Sequence, residues 1–99
     1  MDDVLKSATF AENLHSFFRV EIPDGQDLEL TEVTELSTPQ IEQFSILFAG
    51  PANPWLPQGT YALTHAAMGQ LELFLVPLGP RDGRMIYQAI FCRLIPPGS

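Results

Sequence analysis

Two histidines, His15 and His65, one cysteine, Cys92, and the carboxylates between Glu21 and Glu35 are the side chains here whose chemistry reaches beyond packing. A metal centre or a catalytic triad brings several such groups together. The histidines stand fifty residues apart, and neither has a further ligand nearby at a zinc-like spacing. His65 shares a strand face with Tyr61 and Leu63, which makes it a core or turn-bonding histidine before it is a base. The catalytic alternative is a small site in which Tyr61, His65 and a carboxylate converge. No serine lies in a Gly-x-Ser-x-Gly context. Cys92 sits in the apolar run Ile90-Phe91-Cys92-Arg93-Leu94, where a free thiol reads as a small hydrophobe. No catalytic residue, cofactor or metal ligand is expected.

Glu21, Asp24, Asp27, Glu29, Glu32 and Glu35 crowd one turn and one strand. Asp24-Gly25-Gln26-Asp27-Leu28-Glu29 has a little of a calcium loop, but it lacks the repeated acidic frame and the distal glutamate that close one. A solvated outer face accounts for these acids. Gly79 and Gly83 have hairpin spacing and no phosphate-loop frame. Trp55, the single tryptophan, stands in Gly50-Pro51-Ala52-Asn53-Pro54-Trp55-Leu56-Pro57, a loop stiffened by three prolines. It reads either as a lid folded over the core or as an exposed aromatic anchor for a partner.

The elements that must position these groups follow from periodicity. Thr9 and Glu12 have capping-box spacing, which predicts a short helix over 10–15, with Val4, Leu5 and Ala8 extending its apolar surface. From Ser16 the period becomes two, with Phe18, Val20 and Ile22 opposite Phe17, Arg19 and Glu21. Pro23-Asp24-Gly25 turns the chain. The run Asp27–Leu36 places Leu28 and Leu30 on one face, and Val33 breaks the parity, as a bulge would. Phe44, Ile46 and Phe48 mark a third strand, and Tyr61, Leu63 and His65 a fourth. Gln70–Leu78 and Met85–Ile95 are the fifth and sixth. The expected core contains Phe18, Val20, Leu30, Phe44, Ile46, Tyr61, Leu63, Leu73 and Phe91.

The pattern predicts an all-β fold over one domain, residues 1–99: a small antiparallel barrel or compact sandwich of about six strands with a short N-terminal helix. Residues 1–15 form an N-terminal segment, 16–95 the strands and 96–99 a tail. Five basic against twelve acidic residues give a net charge of −7, which repels phosphate backbones, so no nucleic-acid partner is expected. No stretch is long enough to insert in a membrane, and the acidic N-terminus lacks the apolar segment of a signal peptide. Cytoplasmic synthesis is the expectation, with room for later incorporation into an assembly or surface structure.

Strands five and six are apolar on both faces. In the sixth, Met85, Tyr87, Ala89 and Phe91 oppose Ile86, Ile90, Cys92 and Leu94. Such strands are covered on both sides, here by the N-terminal segment or by another protein chain. Trp55, Ile86, Ile90 and Leu94 are therefore the candidate partner-binding residues, for a homo-oligomer or a larger assembly.

The segments Leu56-Pro57-Gln58-Gly59-Thr60-Tyr61, Gly69-Gln70-Leu71-Glu72-Leu73-Phe74-Leu75-Val76-Pro77 and Tyr87-Gln88-Ala89-Ile90-Phe91-Cys92-Arg93 resemble a family of small uncharacterised bacterial all-β domains. The family pattern has Asn where this chain has Cys92. Its members resemble accessory proteins found beside phage tail-collar-like proteins, and the resemblance brings no catalytic residues. It implies a non-enzymatic structural or interaction module in a phage-tail-like or surface-fibre assembly. The alternatives are a small-ligand-binding β-barrel, which six strands leave little interior for, and the small enzyme.

Overall fold

The structure is a computed structural model that describes residues 7–23 and 25–94, with the side chains of Arg93 and Leu94 excepted. One short helix, α1 (Ser7–Ala11), precedes six strands. These are β1 (Phe17–Val20), β2 (Gln26–Glu35), β3 (Ile41–Pro51), β4 (Gly59–His65), β5 (Gly69–Arg81) and β6 (Arg84–Leu94). All pairings are antiparallel and belong to one sheet, whose order β1-β2-β3-β6-β5-β4 closes on itself as a ring. The all-β fold class read from the sequence holds, and among the described residues no second sheet is stacked on the first. The extension at Val4 and Leu5, Asp24 of the first turn, and the tail 96–99 lie outside the described residues.

The spine of the ring is the β3–β6 ladder, which runs unbroken through eleven pairs from Ile41↔Leu94 to Pro51↔Arg84. Strand β2 joins it with one irregularity between Leu30 and Glu32, so Thr31 is the extra residue of a bulge. That is the parity break anticipated at Val33, displaced by two residues. The bulge lets Leu28 and Leu30 before it, and Val33 after it, all face the core. Two hairpins have the chemistry their geometry demands. Asp82 and Gly83 both take positive φ, the two-residue turn that suits strand twist. Gly69, at φ 76°, ends the three-residue Ala66–Met68 turn.

Period-two alternation sends Phe18, Val20, Leu28, Leu30, Phe44, Ile46, Phe48, Leu63, Leu73, Leu75 and Tyr87 inside. Tyr61 and Phe91, also expected in the core, are half-buried against it. Gly50 occupies an inward position where an added Cβ would lie 2.4 Å from a Leu28 methyl, so the strands approach there only because a side chain is missing.

Helix α1 corrects the capping-box expectation. It starts at Ser7, so Thr9 lies inside it, where the Thr9 carbonyl accepts from the Asn13 amide at 2.8 Å. Burial of Phe10 wins over the local cap. Its ring lies 5.4 Å from Phe91, 5.9 Å from Phe44 and 6.3 Å from Phe18, and it is fully buried. A helix this short holds only through such packing. His15 then adopts a left-handed φ of 68°, which turns its N–H onto the Leu30 carbonyl at 2.7 Å and leads the chain into β1. The N-terminal segment, as far as it is described, therefore plugs an end of the ring. It does not lie over the outer face of β5 and β6.

Phe10→Ala or Phe44→Ala is expected to cost about 3–5 kcal/mol, whereas Ile90→Ala, on the outer face, should cost well under about 1 kcal/mol. Urea denaturation of the three variants measures both.

Candidate functional site

His65 is held as a structural group. Its Nδ1 accepts from the backbone N–H of Ala67 at 2.9 Å and of Met68 at 3.1 Å, closing the β4–β5 turn. Two donors at Nδ1 put the ring proton on Nε2, which donates to Ser16 Oγ at 2.8 Å. Ser16 Oγ donates in turn to the Asn13 carbonyl. A serine nucleophile needs the opposite arrangement, with Nε2 free to accept the hydroxyl proton. The ring packs against Phe18, tilted by 37° with centroids 4.3 Å apart, and the residue is buried. Tyr61 does not converge on it, because the Tyr61 hydroxyl donates to the Pro57 carbonyl at 2.6 Å. The tyrosine–histidine–carboxylate site is thus not assembled.

Glu21, Asp27, Glu29 and Glu32 lie on the outer face, as expected. Glu35 instead has the inward parity of its partner Phe44, at the end of the ring, where Ser7 of α1 donates to it, and Asp24 lies outside the described residues. Arg84 Nη1 donates to Glu29 Oε1 at 2.8 Å, and His15 Nδ1 lies 3.1 Å from Glu29 Oε2. The Arg84 hydrogen bond, followed by that of His15, holds the Glu29 carboxyl below its ordinary value. Serine hydroxyls of Ser37 and Ser7 do the same for Glu35. Arg19 pairs with Asp27 at 3.3 Å, and Glu21 accepts from Thr64. Among the described residues, no three His, Cys, Asp or Glu side chains are grouped to hold a metal ion.

The Glu29–Arg84 bridge decides the fate of one predicted partner residue. Glu29 on β2, Ala49 on β3 and Ile86 on β6 form one cross-strand row on the outer face. The bridge spans β3 over that row, and Ala49 is small enough to let it pass. Ile86 is left only 8% exposed at the floor of a shallow, polar-walled depression. It does not join an accessible surface. Ile90, four residues along the same face, is 58% exposed, and Cys92 beyond it is also exposed. The Leu94 side chain lies outside the described residues.

Trp55 is not the lid. Its neighbour Leu56 is, buried at the end of the ring opposite Phe10. Three polar contacts pin this loop: Gln26 Nε2 donates to the Pro54 carbonyl at 2.8 Å, the Leu56 N–H donates to the Tyr87 hydroxyl at 2.7 Å, and Tyr61 holds Pro57. Burial raises the Tyr87 hydroxyl above its ordinary value. Trp55 projects from the pinned loop at 50% exposure.

The feature that strand periodicity could not show is the distribution of charge over the outer face. Leu47, Gln88 and Val76 form one row across β3, β6 and β5. In the next row, Ser45 pairs with Ile90 and Thr60 with Phe74. Neither row on these strands contains a charge, and Phe74 is 51% exposed. Strands β1 and β2 instead turn Arg19, Glu21, Asp27, Glu29 and Glu32 outward. A separate groove of about 450 Å³ lies between α1 and the start of β5, lined by Thr9, Glu12, Asn13, Met68, Gln70 and Leu71 among others.

Two outcomes follow. The folded-state Glu29 carboxyl titrates below its ordinary value of 4.5, so its stabilisation is complete above that pH and is lost as pH falls through the folded value. Glu29→Gln should flatten the acid limb of stability against pH, and about 1 M salt should flatten it in the native chain. Chemical denaturation from pH 7 to 2.5 measures it. Tyr87→Phe leaves the buried Leu56 N–H without its acceptor and should cost about 1–3 kcal/mol. It should also lower the fluorescence anisotropy of Trp55, the only tryptophan.

Comparison with known proteins places these features in a family. No curated protein and no solved structure matches the chain. A family model does, over residues 5–91, a span that takes in α1 and all of the ring up to Phe91 of β6. The chain therefore belongs to the family described as a domain of unknown function, DUF6916.

Proposed function

We propose that this chain is a non-enzymatic protein-interaction module that presents the part of its outer face around Phe74 and Ile90 to another protein chain. The observation that carries the reading is this pair of half-exposed side chains, in cross-strand rows that carry no charge on β3, β5 and β6, on a chain of net charge −7. Large apolar side chains collected on one face mark association surfaces more often than bare solvent contact. Trp55, on a loop pinned at three points, supplies an aromatic anchor that loses little freedom on binding. The narrower reading is an accessory of a phage-tail-like or surface-fibre assembly. It draws its support from the resemblance carried by the Leu56–Tyr61, Gly69–Pro77 and Tyr87–Arg93 segments.

The groove beside α1 favours a second reading, a small-ligand carrier. Its binding place would be that groove, because Phe10, Phe18, Phe48 and Tyr87 fill the interior of the ring. Native mass spectrometry of the freshly purified chain separates this reading from the first, since a carrier retains an added mass.

Capture experiments from the native host test the module. The wild-type chain is expected to retain one defined partner. Phe74→Asp with Ile90→Asp should abolish retention while moving the urea midpoint little, because both side chains already meet water. Retention unchanged by the double substitution, or no partner at all, overturns the reading.

A further inference from the structure

Strand β5 changes partners midway. Gly69–Leu75 pair with β4, and Val76–Arg81 pair with β6. The β5–β6 ladder ends at Val76↔Gln88, although β6 runs on to Leu94 paired with β3. Two stretches of unpaired strand edge result among the described residues. One is the β4-facing edge of β5 over Val76–Arg81. The other is a split at the α1 end of the ring, where Gly69–Leu75 of β5 and Ala89–Leu94 of β6 each lack a ladder on the facing side.

The two stretches differ in a way that bears on use. The first carries Pro77, Pro80 and the bulge at Leu78, devices that prevent another strand from adding to an edge. The split carries none of them: Gly-Gln-Leu-Glu-Leu-Phe-Leu faces Ala-Ile-Phe-Cys-Arg-Leu without a proline, so each alternate amide that points into the split can donate. Backbone donors and acceptors left unpaired at an edge are a template for a further strand. The side chains bordering the split suit an apolar alternation, with Leu73 and Phe91 turned inward and Phe74 and Ile90 outward. At its end, the groove beside α1 presents Glu12, and Glu72 is exposed on β5.

We propose that this split is a strand-acceptor site. It takes one extended segment of a partner protein, antiparallel to Gly69–Leu75, with alternating apolar residues and a basic residue near its C-terminal end. The direction is antiparallel to β5 and hence parallel to β6, because those two strands are mutually antiparallel. It gives the more stable antiparallel ladder to the longer open edge, seven residues of β5 against six of β6. It brings the segment's C-terminal end to the groove, where Glu12 and a net charge of −7 favour a cation. A second copy of this chain is the poorer donor, because its described strands are all committed to its own ring. The site rests on the interaction-module reading and specifies how the partner is held.

The test is amide hydrogen exchange, residue by residue, on the full chain with a peptide probe. The probe alternates threonine and valine over about seven residues, the length of the open β5 edge, and ends in lysine. In the free chain, alternate amides of 69–75 and 89–94 should exchange like loop amides. Excess probe should slow them at least about tenfold. The same peptide N-methylated at alternate amides should leave them unchanged, and one ending in glutamate should bind more weakly. The proposal is overturned if those amides are protected in the dilute free chain. It is overturned equally if protection rises with protein concentration alone, if protection disappears on deletion of residues 1–6, or if the probe has no effect at millimolar concentration. Failure here while Phe74→Asp with Ile90→Asp still abolishes partner capture leaves the module standing without the strand site; loss of both removes the module itself.

Discussion

A ring of six short strands encloses a column of side chains that water can enter from either end, so its stability depends on how the two ends are sealed. At one end the seal is Phe10, packed against Phe18, Phe44 and Phe91. At the other it is Leu56, held down by the bond from its own N–H to Tyr87. Much of the irregular structure serves these two plugs. The positive φ of His15 returns the chain from the Phe10 helix to the sheet. His65 locks the adjacent turn while packing against Phe18. Gln26 and Tyr61 fix the loop that carries Leu56. Of the polar side chains that looked available for chemistry, His65 and Tyr61 are engaged in this closure through bonds to backbone groups.

With the interior sealed, whatever distinguishes this chain lies on its outer surface. Strands β1 and β2 carry the charge, and the Glu29–Arg84 bridge extends it across β3 to the edge of β6. Beyond that bridge, the rows Leu47–Gln88–Val76 and Ser45–Ile90 carry no charge, and Ile90 and Phe74 meet water. Ile86, two residues from Arg84 on the same face, is by contrast nearly buried.

The parts of this arrangement that were legible in the sequence share a cause, namely that they repeat every second residue. Phe18 and Val20, Leu28 and Leu30, and Phe44, Ile46 and Phe48 each declare an inward face locally, and the ring follows from pairing those faces. The plugs were not legible, since nothing local distinguishes Phe10 from Phe17 or Leu56 from Trp55. The helix was displaced because a capping pattern worth about 1 kcal/mol competes with burial of a phenylalanine worth more. Ile86 and Ile90 have the same parity and opposite exposure. Ile86 lies in a depression walled by residues of β2, β3 and the β5–β6 hairpin, Thr31, Glu32 and Arg81 among them, which its own stretch of sequence does not announce. Local patterns report which way a side chain points. They do not report what lies above it.

The partner switch in β5 shows the same limit and its consequence. A strand apolar on both faces reads as one covered on both faces, and the sequence offered two covers, the N-terminal segment or a second chain. In the structure the described N-terminal segment plugs the end of the ring, and Phe74 and Ile90 stay half-exposed on the outer face. Gly69–Leu75 and Val76–Arg81 belong to different ladders, so each half of β5 has one open edge. Closing the ring with a full β5–β6 ladder would draw Phe74 and Ile90 onto facing positions and leave no opening beside Phe10. The break at Val76 trades backbone bonds for that opening. Prolines spaced at 77 and 80 guard only the half of β5 that lies away from it. An edge that carries no proline, is largely apolar and lies next to a groove is costly to leave bare, so the asymmetry of the prolines is itself the reason to look for the strand that belongs there.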